Sequence, residues 1–507
     1  MDPLYQAEHL DFVSNNNGTT PLEIIIVGSP LHFSILLLAS LSQWLGLDYT
    51  SFLGSLLELL VITIPILLSL TVWSDYSAHI SLTMFLMGVS GLLLSQGNKK
   101  TKHNLSRIWD LTVSPPNRAQ FLTTFRASML LVTTICILAV DFPIFPRKFA
   151  KTETFGYGLM DLGVGSFVFS NGLVSPEARQ LTSSRSIRKN LLGCVPLLVL
   201  GVARLMSVTS LGYHENITEY GVHWNFFFTL ASVKLLSALI LPLVKATKLI
   251  WVLAVAVAVL YEGVLTFWAG EWIVSDAGRD DLVSANREGL FSSFGYLAIY
   301  LAGVAWGREI LTTRGSMDEL QVVTRLLVLW TGIMWLSLAY STTFFLPPSR
   351  RMANYTFFTW IVAYNLTLLS LFLLLDLLVM FVGEVKLGTA PDSSRSSRVT
   401  RAKPRQSQDQ NNIRKPPKKI KEVPTEENPA PSHECTLYRC PTIYKAIDYN
   451  GLAFFLLANL GTGAVNLSVA TIHSTEWHAL AILVAYVVIL CLVARILYRY
   501  NVRLKFW

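Results

Sequence analysis

The stretch DFPIFPRKFAKTETFGYGLMDLGVG, residues 141–165, lies between two strongly apolar runs of the chain. It contains two prolines together with three cations and three acids, which are Arg147, Lys148, Lys151, Asp141, Glu153 and Asp161. The flanking runs favour lipid, where charged groups and unpaired backbone groups are costly. The stretch is therefore either a functional site at membrane depth or a surface loop whose long cations extend towards lipid headgroups.

The composition identifies the class of protein. The chain has 507 residues, of which 52% are apolar and only 15% are charged, and its mean hydropathy is +0.47. Apolar windows of about twenty residues, long enough to cross a bilayer, recur along almost the whole sequence. Short alternating strands typical of a membrane barrel are not visible in the sequence. We therefore predict an all-α polytopic membrane protein.

The apolar runs predict about thirteen transmembrane helices on the bilayer-length criterion. The run around Ser166 is the shortest and is rich in glycine. The predicted helix centres are Leu36, Val61, Met87, Leu131, Ser166, Leu200, Leu235, Val257, Ile299, Thr331, Leu369, Leu457 and Val487.

The cations of the connecting loops predict the orientation, because cytosolic loops carry an excess of Lys and Arg. The odd-numbered connections and the C-terminal tail hold most of these cations, including Lys99, Lys100, Lys102, Arg107, Arg179, Arg185, Arg188, Lys189, Lys245, Lys248, Arg308, Arg314, Arg499, Arg503 and Lys505. Even-numbered connections are mostly neutral or acidic, apart from residues 141–157 and the pair Arg350 and Arg351. An odd number of spans then places the N-terminus on the lumenal side and the C-terminus in the cytosol.

Four segments follow along the chain. Residues 1–23 form a polar lumenal segment without the features of a cleaved signal peptide. Residues 24–385 hold transmembrane helices 1–11 and the loop 141–157, and residues 446–507 hold helices 12 and 13 with the cytosolic tail. Between them, residues 386–445 are predicted to form a disordered, basic cytosolic linker, because Ser, Arg, Lys and Pro dominate residues 386–434. Such a basic segment suits a loop near anionic lipid better than a nucleic-acid partner.

Asparagine sequons and cysteines add weaker predictions. Asn17, Asn216 and Asn354 fall on the non-cytosolic side and are candidates for glycosylation. Asn365 and Asn466 lie within spans and are expected to pack between helices. Cys136, Cys194 and Cys491 lie in apolar runs and are expected to be buried, whereas Cys435 and Cys440 are too isolated for a zinc site, so no metal is expected.

Polar residues recur in several predicted spans and in the connections beside them. Asp161, a candidate for binding a substrate, lies within a glycine-rich run and needs a cationic partner. The nearest cations in sequence are Arg147, Lys148 and Lys151. Further candidates for binding a substrate are His223, Asn225, Arg287, Asn459 and Asn466. A lone histidine or asparagine in such a run is more often structural, but this convergence favours an internal polar site.

The sequence lacks the motifs of soluble enzymes, such as a nucleophile elbow, a phosphate-binding loop or a zinc-protease helix. A lipid transporter or scramblase with a charged internal cavity is an alternative to an enzyme, since transporters also use polar groups at mid-membrane. The internal repeat that many transporters show is not visible in the sequence.

The quoted motifs carry a resemblance to a known family. DFPIFPRKFAKTETFGYGLMDLGVGSFVFSNGLVS, from residue 141, resembles the signature of the inositol acyltransferases of GPI-anchor biosynthesis, the GPI-anchored wall transfer protein / PIG-W family. EYGVHWNFFFTLA from residue 219, NREGLFSSFGYLAIYLAG from residue 286 and NLGTGAVNLS from residue 459 resemble its other recurring blocks. The resemblance covers almost the whole chain apart from residues 386–434.

This resemblance implies a multi-pass enzyme of the endoplasmic-reticulum membrane that transfers an acyl chain, typically palmitoyl, from acyl-CoA to an inositol hydroxyl of glucosaminyl-phosphatidylinositol. It implies that Asp141 and Lys151 are the essential pair. Asp141 then suits the general base and Lys151 the stabiliser of developing negative charge, while Arg147 and Lys148 suit binding of substrate phosphates. His223 is the second candidate for the base. Acyl-CoA is expected as co-substrate, with no bound cofactor, metal or nucleic acid.

Overall fold

The computed structural model describes residues 3–14, 16–49, 51–95, 120–179, 192–211, 217–244, 246–311, 317–387 and 440–504. In these ranges the regular secondary structure is helical. The β-type pairing described there is an isolated bridge between Thr19 and Tyr157. The prediction of an all-α polytopic membrane protein is confirmed.

The helices of the described ranges are α1 Pro3–Val13, α2 Pro21–Gly28, α3 Pro30–Leu45, α4 Phe52–Leu70, α5 Ser77–Ser95, α6 Gln120–Ala139, α7 Leu159–Leu173, α8 Val195–Leu211, α9 Ile217–Tyr220, α10 Phe226–Ile240, α11 Thr247–Val264, α12 Gly270–Val274, α13 Leu282–Ala285, α14 Arg287–Leu311, α15 Met317–Phe344, α16 Tyr355–Leu387, α17 Thr442–Tyr449, α18 Gly451–Ser468 and α19 Glu476–Arg499. A π-helical turn, Leu265–Ala269, joins α11 to α12.

Ten helical segments of the described chain are long and apolar enough to cross a membrane. They contain ten of the thirteen predicted centres. The other three predicted centres, Ser166, Leu200 and Leu235, lie in helices of 15 to 17 residues, which are α7, α8 and α10. Each predicted centre thus lies in a helix, and the number of true crossings stays a prediction.

The centre of the bundle is formed by α14 and α16, whose side chains are almost all buried along most of their length. Helix α7 lies directly against α14, and glycines make this approach possible. A Cβ added at Gly172 would lie 2.3 Å from the carbonyl oxygen of Tyr300, and one added at Gly303 would lie 2.3 Å from that of Phe169. The glycines of the run after residue 157 therefore serve close helix packing.

The N-terminal segment is attached to the loop 141–157 by backbone hydrogen bonds. Glu153 N–H donates to the carbonyl of Asn16 over 3.1 Å, and Thr19 N–H donates to that of Tyr157 over 2.7 Å. Gly18 and Gly156, which lie beside this bridge, both have positive φ, of 79° and 134°, a conformation that favours glycine. The segment and the loop consequently form one irregular layer over the end of the bundle.

Three sequence predictions need correction or qualification here. The linker boundaries were too wide, because α16 continues to Leu387 and α17 begins at Thr442 with several buried side chains, whereas residues 388–439 lie outside the described residues. Asn354 is 1% exposed, and both side-chain atoms bind backbone groups, so it is no accessible glycosylation site. Asn17 is exposed, and Asn216 lies outside the described residues.

The expected packing roles of other residues are confirmed. Asn365 on α16 donates to the hydroxyl of Ser166 on α7 over 2.9 Å, so it joins two helices. Cys136, Cys194 and Cys491 are buried, as expected for small apolar side chains.

Orientation stays a prediction, and several of its basic loops lie outside the described residues. We expect tags at the N-terminus to be protected from protease in sealed microsomes, and tags within residues 392–430 to be cleaved, because Lys and Arg accumulate on the cytosolic side. Western blotting of the tags before and after detergent is the measurement. Protected linker tags would reverse the assigned orientation.

Candidate active site

The loop 141–157 is packed into the protein and is not an ordinary surface loop. Phe142, Phe145 and Phe149 are fully buried, and Ala150 is fully buried beside them. These side chains anchor the loop in the same apolar core that contains the spans. The sequence left open whether this stretch is a surface loop or a functional site at membrane depth. The burial of these side chains argues against a surface loop, and a membrane protein tolerates irregular backbone where protein encloses it.

Arg147 organises the first half of the loop. Its guanidinium donates to three carbonyl oxygens, at 2.8 Å to Val140, 3.1 Å to Phe142 and 2.8 Å to Phe145. Burial lowers the pKa of Arg147 to about 10, and the charge of Asp141 opposes that shift. These carbonyls lie outside a helix and occupy most of the N–H donors of Arg147. Arg147 therefore stabilises the loop and has few donors left for the phosphate that it was predicted to bind.

Asp141 is held through both of its carboxylate oxygens. Asn466 on α18 donates through Nδ2 to one oxygen over 2.8 Å, and His9 Nε2 lies 3.1 Å from the other. An ionised carboxylate only accepts hydrogen bonds, so His9 is the donor. Asp141 is 5% exposed. The predicted base is therefore a buried carboxylate with a fixed orientation. Asn466, predicted as a packing or substrate-binding residue, binds this carboxylate.

Lys151 belongs to a second group of charges at the other end of the loop. Its ammonium donates to both oxygens of Glu219, over 3.0 and 2.9 Å, and its side chain is 43% exposed. Arg350 donates to the same Glu219 over 2.9 Å. Burial alone would raise the pKa of Glu219, but Lys151 and Arg350 lower it to about 2. Glu219 therefore stays ionised throughout the physiological range.

Asp161 completes this second group. Arg350 Nε donates to one oxygen of Asp161 over 2.7 Å. Thr152 donates to the other oxygen from its hydroxyl and its backbone N–H, over 2.7 and 3.0 Å. The partner of Asp161 is thus Arg350, and the expectation that Arg147, Lys148 or Lys151 would fill this place was wrong. Arg350 is a cation in a connection where neutral or acidic residues were expected, because it is buried in an ion-pair network with Asp161 and Glu219.

The described contacts place the two predicted catalytic residues in different groups. Asp141 contacts side chains of α1 and α18, whereas Lys151 contacts α9 and, through Glu219, the segment before α16. The nine residues of loop between them join the two groups.

The other predicted binding residues differ in accessibility. Lys148 is 36% exposed and pairs with Glu23 and Asp75 at 2.7 and 3.1 Å, and Glu23 gives the largest contribution to its raised pKa. His223 has an exposed side chain, and its backbone N–H binds Asn286. Asn459 donates to the carbonyl of Phe455 in its own helix. Of these three residues, His223 is the most accessible to a ligand.

Asn225 and Arg287 have structural contacts in place of the predicted binding role. Asn225 accepts hydrogen bonds from two N–H groups at the start of α10 and donates to the carbonyl of Gly201, so it caps that helix. Arg287 is 1% exposed and donates to the carbonyls of Ala277 and Ser275. It belongs to a buried group around Glu288, whose carboxylate pairs at 2.6 and 3.1 Å with Arg279 and Arg351.

Sequence reasoning did not identify three partners of the predicted site residues. They are His9, which contacts Asp141, Glu219, which pairs with Lys151, and Arg350, which pairs with Asp161. His9 lies 132 positions from Asp141, and Arg350 lies 189 positions from Asp161. The available signals were a lone histidine in the polar N-terminus and two arginines in a connection where neutral residues were expected. Neither signal identifies a partner without the fold.

Comparisons with known proteins identify relatives of this chain. A family model described as GWT1 matches residues 5–497. The bovine and human proteins named glucosaminyl-phosphatidylinositol-acyltransferase PIGW are 36% and 35% identical over 516 and 521 residues, covering 98% of this chain and 98% of each relative. GPI-anchored wall transfer protein 1 of Aspergillus fumigatus is 36% identical over 548 residues, covering 99% of both chains. The chain therefore belongs to the GWT1/PIGW family.

Proposed function

We propose that this chain transfers a fatty acyl group from acyl-CoA to an inositol hydroxyl of glucosaminyl-phosphatidylinositol, with palmitoyl as the expected chain. The reaction belongs to GPI-anchor biosynthesis and takes place in the endoplasmic-reticulum membrane. The names of the bovine and human relatives support the acceptor lipid and the reaction class. The observation that carries the proposal is the buried Asp141 carboxylate, held by two side chains at the start of an irregular loop.

The chemistry requires a base for the attacking hydroxyl. In the proposed reaction the inositol oxygen attacks the thioester carbonyl carbon while its proton passes to Asp141. The carbon–sulfur bond then breaks, CoA leaves as thiolate, and the proton on Asp141 returns to that sulfur. Each carboxylate oxygen of Asp141 has a second lone pair beside the one used by His9 or Asn466, so the fixed carboxylate can still accept the substrate proton.

Lys151 suits the stabilisation of the negative charge that develops on the thioester oxygen. Its ammonium has three N–H donors, of which two are directed to Glu219, so one is left for the substrate. Glu219 and Arg350 restrict where the ammonium can lie, and such fixed donors stabilise a developing oxyanion without reorganisation.

The direct test is acyl transfer by the purified protein. Protein in detergent is given radiolabelled acyl-CoA and glucosaminyl-phosphatidylinositol, and the lipid products are separated by chromatography. We expect label in the inositol lipid through an alkali-sensitive ester. An active, folded preparation that only moves the lipid between leaflets of proteoliposomes would instead support the lipid transporter or scramblase.

A change at Lys151 separates two roles for this residue. We expect Lys151→Ala to lower kcat by about a hundredfold, since one oxyanion donor contributes roughly 3 kcal/mol. Steady-state kinetics with both substrates varied are the measurement. If Lys151 only anchored a phosphate, KM would rise and turnover at saturation would be normal. Lys148→Ala is the matched control, because its partners, Glu23 and Asp75, lie outside the Lys151 group.

A further inference from the structure

The N-terminal helix α1 lies against the candidate base. Tyr5, His9 and Phe12 follow the i, i+4, i+7 spacing of one helix face. All three contact residues of the site region: His9 contacts Asp141, Phe12 lies with its ring centre 4.3 Å from the guanidinium carbon of Arg147, and Tyr5 Oη lies 3.3 Å from the hydroxyl of Thr471. One face of α1 is therefore directed at the start of the loop 141–157.

Two elements fix α1 at two points along this face. Towards the end of the helix, Arg147 is itself bound to three loop carbonyls, so the ring of Phe12 lies on a rigid surface. Towards the start of the helix, the segment after α18 contributes Thr471 and His473, whose ring is 5.8 Å from that of Tyr5. Because α18 also carries Asn466, the same elements that locate α1 locate the second donor to Asp141.

We propose that α1 is part of the catalytic site and that His9 is a positioning residue for Asp141. His9 and Asn466 act as two donors that hold the carboxylate from opposite oxygens, so that its remaining lone pairs are directed at the substrate hydroxyl. This inference rests on the proposed acyl transfer. It assigns a role in catalysis to the segment 1–23, which the sequence marked only as a polar lumenal stretch.

The physical reason is the loss of orientation when one donor is removed. A carboxylate held by Asn466 alone can rotate about its side-chain bonds, and misplacement of a reacting group by about 1 Å can cost a hundredfold in rate. A buried acceptor without a donor also carries a desolvation penalty that is relieved by turning away from the site. A side chain that replaces the donor should therefore recover much of the rate.

The test compares four substitutions at position 9 in the purified full-length protein. His9→Leu and His9→Ala remove the donor, and we expect each to lower kcat by about 10- to 100-fold while KM for acyl-CoA and for the inositol lipid stays within about threefold. His9→Gln and His9→Lys retain an N–H donor and are expected to recover at least a third of the wild-type kcat. Asp11→Asn is the matched control on the same helix, because Asp11 is exposed and does not belong to the face that carries Tyr5, His9 and Phe12.

The outcomes separate this inference from the proposed function. If the wild-type protein transfers no label, the proposed function fails. If the wild type is active and His9→Leu and His9→Ala keep its kcat, the positioning role is wrong. Equal loss in all four variants would also overturn it, because a donor would then not be what matters. Recovery in the Gln and Lys variants, with KM unchanged throughout, is the result that the inference predicts.

Discussion

Asp141→Asn is expected to abolish acyl transfer while leaving the protein folded. The amide keeps the size of the carboxylate but cannot accept the substrate proton, and removing a general base costs about two to four orders of magnitude in rate. The fold should tolerate the change, because Asn466 Oδ1 has no hydrogen-bond partner in the described structure and can turn to accept from the new amide. Transfer from labelled acyl-CoA and size-exclusion chromatography of the same sample measure the two effects.

The matched control for this change is Asp75→Asn. Asp75 is an aspartate near the same end of the bundle, its side chain is 80% exposed, and its pair with Lys148 lies at the surface. We expect its transfer rate to stay within about twofold of the wild type, since exposed ion pairs contribute about 0–1 kcal/mol. Normal turnover in folded Asp141→Asn would exclude Asp141 as the base and make His223 the next candidate.

Arg350→Met is expected to cause the largest loss of stability. Its side chain is 5% exposed and pairs with both Asp161 and Glu219. Its removal leaves Asp161 without this cation and leaves Lys151 as the ion-pair partner described for Glu219. Breaking a buried ion pair from one side costs roughly 3–5 kcal/mol. The two carboxylates raise the pKa of Arg350 despite its burial, so this cation does not lose its proton at any working pH. Thermal unfolding in detergent measures the change.

Two further variants calibrate that result. Lys148→Met removes a cation that is 36% exposed, and we expect its midpoint of unfolding to stay near that of the wild type. Arg350→Met combined with Glu219→Gln and Asp161→Asn removes all three charges and should recover part of the lost stability, because no unpaired carboxylate remains. An Arg350→Met midpoint equal to that of the wild type would contradict the network.

The features that the sequence predicted correctly are those with a local physical cause. Hydropathy alone places a helix at each predicted centre, because the apolar windows do not depend on the partners of each helix. The loop 141–157 was recognisable because charge and proline interrupt two apolar runs. Asn225 and Asn354 had a local signal that was overlooked: each directly precedes an apolar helix, the position of an N-cap.

The partners within the site could not be predicted because they are set by the packing of distant helices. Asp141 had three nearby cations in sequence, yet its donors come from His9 and Asn466, at opposite ends of the chain. Arg350 lies 189 positions from Asp161. Lone polar residues in apolar runs indicate that some site exists, but hydrogen-bond partners need the fold.

The central claim is that Asp141 performs the chemical step and does not merely bind substrate. The most direct measurement is a single-turnover experiment in which enzyme in excess is mixed with labelled acyl-CoA and glucosaminyl-phosphatidylinositol, alongside equilibrium binding of the inositol lipid to the same samples. We predict that Asp141→Asn binds the lipid like the wild type but forms the ester at least a hundredfold more slowly. Weakened lipid binding with an unchanged rate of ester formation at saturation would contradict the claim.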